Sequence, residues 1–115
     1  MEVEKEAREL LMEAQTRSQQ LQLLTAQKTS IDLQISEIEE AIKSLEGKEE
    51  AFKELGGILI KEDAKSLIEE LKEKKELLEI QKKNFEKEEQ GVKDRLKEIE
   101  ERLREFLPSQ QGGAG

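Results

Sequence analysis

No histidine, cysteine, tyrosine or tryptophan occurs among the 115 residues, so the side chains left to do polar chemistry are chiefly 28 carboxylates and 20 lysines and arginines. Most of the nucleophiles and bases that enzymes use are therefore missing. Carboxylates can work as an acid–base pair only where a pocket or burial drives their pKa values apart. Here they fall on what read as solvated helix faces. Metal binding by glutamate alone would lack the Asp-rich loop of an EF-hand, and without cysteine there is neither a thiolate site nor a disulfide. The pair Gly56-Gly57 matches no phosphate-binding loop. The chain reads as a non-enzyme, with no catalytic residues, no cofactor and no metal. What stands out instead is apolar: FKELGGILIKED, residues 52–63, sets Ile58, Leu59 and Ile60 in a row beside two glycines in an otherwise charged chain.

The elements that position this stretch follow from composition and period. Charged residues make up 42% and aromatics 3%, a profile shared by long helices, coiled coils and disordered chains, so periodicity decides. One domain at most is expected, with too little apolar content for a compact monomer. A net charge of -8 without a basic patch argues against nucleic acid as a partner. No run approaches the length of a membrane span and the N-terminus lacks the apolar core of a signal peptide. The expectation is a soluble, cytoplasmic protein with no membrane partner, and its load of Glu and Lys leans toward a thermophile.

From Val3 to Leu45 a seam advances in alternating steps of four and three: Val3, Ala7, Leu10, Ala14, Arg17, Leu21, Leu24, Lys28, Ile31, Ile35, Ile38, Ile42, Leu45. Strand alternation cannot produce this, and a sustained period of 3.5 specifies a left-handed coiled coil. A second seam runs through Ala64, Ile68, Leu71, Lys75, Leu78, Lys82, Phe85, Glu89, Val92, Leu96, Ile99, Leu103 and Phe106. Helices over about 2–46 and 63–107 are expected, Asp63 being placed to cap the second. Pro108 opens a flexible tail, 108–115. Folded back antiparallel, facing residues have numbers that sum to about 110. Lys28, Lys75, Lys82 and Glu89 interrupt the seams; either they snorkel and pair with flanking glutamates, or they fix register against pairing with other copies. Leu23, Leu33, Leu77 and Ile80 lie off the seams.

Between the helices, Gly47 to Asp63 is longer than a turn requires. AFKEL and ILIK read as two strands of a β-hairpin over about 51–61, with Gly56 and Gly57 supplying the positive φ of the turn. A lone hairpin is marginal and exposes two strand edges. Phe52, Leu55, Ile58, Leu59 and Ile60 are therefore expected to be covered by strands of other subunits, closing a barrel. An irregular loop with a few apolar residues is the alternative. The fold class is thus dominated by α-helix: a long antiparallel two-helix coiled-coil hairpin whose bend carries a β-hairpin that assembles into an intersubunit barrel.

A helix, an apical AFKELGGILIKEDAKSLIEEL and a returning helix of equal length resemble the prefoldin family, specifically its archaeal-type beta class, over roughly residues 5–107 as a single domain within 1–107. The resemblance implies a hexamer of two alpha-class and four beta-class chains, in which hairpins form a β-barrel platform and coiled coils hang from it. It implies an ATP-independent holdase that captures unfolded client proteins at the coiled-coil tips and delivers them to a group II chaperonin. On that reading Val3, Leu10, Leu11 and Met12 with Leu103, Phe106 and Leu107 are client-binding, and Phe52, Leu55, Gly56, Gly57, Ile58, Leu59 and Ile60 are the assembly residues. The same tip residues could simply complete the coiled coil. A structural spacer or scaffold that uses its hairpin only to dimerise is the other functional class.

Overall fold

The computed structural model describes residues 2–106. Helix α1 covers Glu2–Leu45, strand β1 Glu50–Leu55, strand β2 Ile58–Asp63 and helix α2 Ala64–Glu105. The tail from 108 and Leu107 lie outside the described residues.

Each boundary has a local cause. Helix α1 closes with the Glu46 N–H donating to the Ile42 carbonyl at 3.1 Å and the Lys48 N–H to that of Leu45 at 3.1 Å. Gly47 takes the left-handed conformation of a helix terminus, with φ of 77°, a position glycine fills without a Cβ clash. Helix α2 opens on Asp63, whose carboxylate accepts from the Ser66 backbone N–H at 3.1 Å and so satisfies a donor of the first turn. The Ala64 N–H meanwhile donates to the Glu49 carbonyl at 3.0 Å, tying the start of α2 to the residue before β1.

Two compact units divide the chain: residues 28–84, and residues 2–27 with 85–106. In the first, Ile31 and Ile38 of α1 and Leu78 of α2 are buried, with Ile35, Ile42, Ile68 and Leu71 half-buried beside them. The base of the hairpin has its own small core of Ala51, Ala64 and Leu67, against which Leu45 and Leu71 pack. Leu67 lies off the expected seam. It is buried because Ala51 of β1 has to be covered where the ribbon leaves the helices.

In the second unit Leu24, Val92 and Ile99 are buried, Ile99 being only 1% exposed. Leu10, Leu21, Phe85, Leu96, Leu103 and Phe106 are half-buried. Each large apolar side chain fully withdrawn from water contributes about 1.5–3 kcal/mol. Among the seam positions only Val3 is exposed. The off-seam Leu23, Leu33, Leu77 and Ile80 are all exposed.

Candidate functional sites: the hairpin and the helix termini

The strands pair antiparallel from Glu50 opposite Asp63 to Leu55 opposite Ile58, and Gly56 and Gly57 both have positive φ, 58° and 80°. Two positive φ values in a two-residue loop make the turn whose twist matches that of the strands. Because side chains alternate along a strand and opposed residues share a face, Ala51, Lys53, Leu55, Ile58, Ile60 and Glu62 lie on one face of the ribbon. Phe52, Glu54, Leu59 and Lys61 lie on the other.

The first face is anchored at its base by buried Ala51 and by Lys53, whose ammonium donates to Glu70 at 3.0 Å. That hydrogen bond raises the Lys53 pKa. Toward the turn nothing covers it: Leu55, Ile58 and Ile60 are exposed, and so are Phe52 and Leu59 on the reverse face. The sheet has two strands, so each strand presents an outer edge with no ladder partner among the described residues. The ribbon thus exposes large apolar side chains on both faces, among charged ones on the reverse face, and among the described residues it is unpaired along both edges.

The residues expected to meet clients divide by exposure. Val3, Leu11 and Met12 are exposed; Leu10, Leu103 and Phe106 are half-buried; Leu107 falls outside the described residues. Between them stand two cross-helix clamps that the sequence reading missed. Arg95 grips both carboxylate oxygens of Glu13, Nε at 2.6 Å and Nη2 at 2.7 Å, and Arg17 reaches the same carboxylate at 3.4 Å. One heptad on, Arg102 grips Glu6 at 2.9 and 3.1 Å. Both are the forked guanidinium–carboxylate geometry that adds directional specificity to charge. The hydrogen bonds from Arg95 hold the Glu13 carboxyl down at about 2, and those from Arg102 hold Glu6 below its ordinary range. The available signal was spacing: Glu6 with Glu13, and Arg95 with Arg102, each stand seven apart and one residue before a seam position.

Three of the polar seam residues reach across to the other helix. Lys75 meets Glu39 at 3.9 Å and Lys82 meets Asp32 at 2.7 Å. Buried Glu89 accepts from the Thr25 hydroxyl at 2.9 Å. Among the described residues no buried side-chain nitrogen or oxygen lacks a partner, and no group of acidic side chains is arranged to hold a metal ion.

The comparisons with known proteins agree with this geometry. Residues 8–110 match the family model Prefoldin_2, described as prefoldin subunit. The chain is 35% identical over 92 residues to prefoldin subunit beta of Thermococcus onnurineus, covering 77% of this chain and 79% of that one. It is 30% identical over 114 residues to prefoldin subunit beta of Archaeoglobus fulgidus, covering 96% and 98%. Among solved structures it is similar to the prefoldin beta subunit from Thermococcus strain KS-1, with a TM-score of 0.83 and 28% identity over 89% of this chain and 92% of that one. Two long helices joined through one glycine-turned hairpin, together with these likenesses, show that the chain belongs to the prefoldin subunit family, in its beta class.

Proposed function

We propose that the chain is an ATP-independent holdase subunit that assembles through its hairpin, captures unfolded proteins at its helix termini and passes them to a group II chaperonin in the cytoplasm. The family is one of chaperone subunits rather than enzymes. One observation carries the assembly part: five large apolar side chains, Phe52, Leu55, Ile58, Leu59 and Ile60, stand exposed on a two-stranded ribbon. A ribbon of that size is unstable alone in water, and strands of neighbouring subunits would pair its edges and cover its faces. Family resemblance supplies the rest of the arrangement, a hexamer of two alpha-class and four beta-class chains.

Client capture is assigned to Val3, Leu10, Leu11, Met12, Leu103, Phe106 and Leu107. Exposed or half-covered apolar side chains near helix ends open at low cost, and several weak contacts from separate subunits add as avidity. Sizing by light scattering, alone and after mixing with an alpha-class subunit, tests the assembly. A defined hexamer is expected on mixing, whereas a species unchanged by the partner fits a spacer and overturns the reading. Transfer of a labelled unfolded protein from the hexamer to a group II chaperonin tests delivery, and no transfer removes that step.

A further inference from the structure

Arg102 makes a contact that clamping the helices does not require. While Nε and Nη2 hold Glu6 and Nη1 holds Glu105, the guanidinium carbon stands 4.8 Å from the centroid of the Phe106 ring. A cation at that distance over an aromatic face is attracted by the ring quadrupole. One side chain therefore joins α1 to the last turn of α2 and at the same time covers a face of Phe106. The seam beneath is lopsided. From α1 it receives Ala7, Leu10 and Ala14 with Val3 exposed at its end, while α2 supplies Leu96, Ile99, Leu103 and Phe106, so separating the helices here would bare chiefly large side chains of α2.

We propose that Arg102 is an autoinhibitory latch: closed on Glu6, it covers Phe106 and keeps Leu103 in the seam, and its release from Glu6 opens the terminal turns to an apolar segment of an unfolded protein. This rests on the assignment of client capture to the helix termini.

The latch is built to open at low cost. Glu6 and Arg102 side chains are 43% and 46% exposed, and exposed ion pairs are weak and salt-screened. On release Glu6 returns to water and Arg102 keeps Glu105 as partner, so no charge is stranded. An apolar client side chain then replaces the guanidinium over the ring. Opening has a built-in stop one heptad away. The Glu13–Arg95 clamp is shorter, at 2.6 and 2.7 Å, less exposed, at 31% and 37%, and shared with Arg17. The segment that opens is therefore residues 2–12 with 99–106.

The test uses the full chain assembled with its alpha-class partner, and reduced, carboxymethylated α-lactalbumin as a permanently unfolded probe. Glu6→Gln should tighten probe capture about two- to five-fold, the equilibrium share of one exposed ion pair. It should also speed amide exchange in 2–12 and 99–106 only. Raising ionic strength should bring the unsubstituted protein toward the variant and move the variant less. Phe106→Ser separates the two layers of inference. If it weakens capture while Glu6→Gln leaves capture and its salt dependence unchanged, the latch is refuted and capture at the termini stands. If neither substitution alters capture, capture at the termini is refuted and the latch with it. Faster exchange without tighter capture would also overturn the latch, because it would make Arg102 a structural clamp alone.

Discussion

Replacing Ile58 and Ile60 with aspartate should abolish assembly and leave the helices intact. Both side chains lie on the same face of the ribbon as Leu55, and they are 66% and 45% exposed. Those exposures amount to about one whole isoleucine still to be buried, worth about 1.5–3 kcal/mol per chain on assembly. Aspartate forfeits that gain and adds the cost of withdrawing two carboxylates from water without partners, which is several kcal/mol more. Together the loss exceeds about 5 kcal/mol per chain, or more than about a thousandfold in each association step. Neither side chain belongs to the core of Ala51, Ala64 and Leu67 at the hairpin base, nor to the buried line of Leu24, Ile31 and Ile38. Circular dichroism should therefore report nearly unchanged helix content while light scattering, after mixing with an alpha-class subunit, reports unassembled chains. A hexamer that survives both aspartates would refute the reasoning, because it would mean that this face of the ribbon stays wet in the complex.

Replacing Leu103, Phe106 and Leu107 together with serine should preserve the assembly but weaken suppression of client aggregation; unchanged suppression would move capture elsewhere. Two glycine substitutions should have opposite signs in thermal melts: Gly57→Val forces a branched side chain into φ of 80° and costs about 1–2 kcal/mol, whereas Gly91→Ala, inside α2 where an added Cβ meets no neighbouring side chain within 4 Å, gains about 0.5–1 kcal/mol. Glu13 should give the pairing of the helix termini an acid limit. Its folded pKa is about 2 against an ordinary 4.5, so its contribution is present above the ordinary value and lost as pH falls toward 2. Melts of Glu13→Gln should be lower at neutral pH and should converge with the parent near pH 2; curves parallel across that window would refute the assignment. Asp63→Ala should cost about 1 kcal/mol through loss of the bond to the Ser66 N–H, read as a lower melting temperature.

The seams were legible because a period of 3.5 is a one-dimensional property: Leu24, Ile31, Ile38, Leu78, Val92 and Ile99 are buried at positions that counting alone selects. The turn was legible because two adjacent glycines beside an aliphatic run leave few conformations. Leu67 was not, since its burial is set by Ala51 of β1, sixteen positions away, and not by the helix repeat. The hairpin strands extend to Glu50 and Asp63, beyond the apolar run, because backbone pairing continues where side-chain hydrophobicity stops. The clamps escaped notice for a different reason. In a chain with 48 charged residues, nearly any glutamate has a lysine or arginine within reach on its own helix, so composition does not reveal which pairs cross to the other helix. Whether Leu10, Leu103 and Phe106 serve packing or capture was equally beyond the seam pattern, which assigns one position to both roles.

The polar seam residues explain how such a chain keeps one register. Leucine and isoleucine at a period of 3.5 pack almost as well after a slip of seven residues, so the apolar seam alone leaves neighbouring registers close in energy. The cross-helix pairs do not. They place Thr25, Asp32 and Glu39, seven apart, beside Glu89, Lys82 and Lys75, also seven apart, and the pattern changes sign partway along. A slip of one heptad in one sense sets buried Glu89 against Asp32; in the other it sets Glu88 against Glu13. Each slip also costs one of the two clamps: in the first sense Arg102 passes to Glu13 while Arg95 faces Gln20, and in the other Arg95 passes to Glu6 while Arg102 has no residue of α1 opposite. Loss of a buried charge's partner is far more costly than the modest gain such a pair brings when satisfied, so these residues act by penalising wrong alignments more than by stabilising the right one. Register in turn decides which residue stands beside Arg102, and hence whether a carboxylate is there to hold the guanidinium over Phe106.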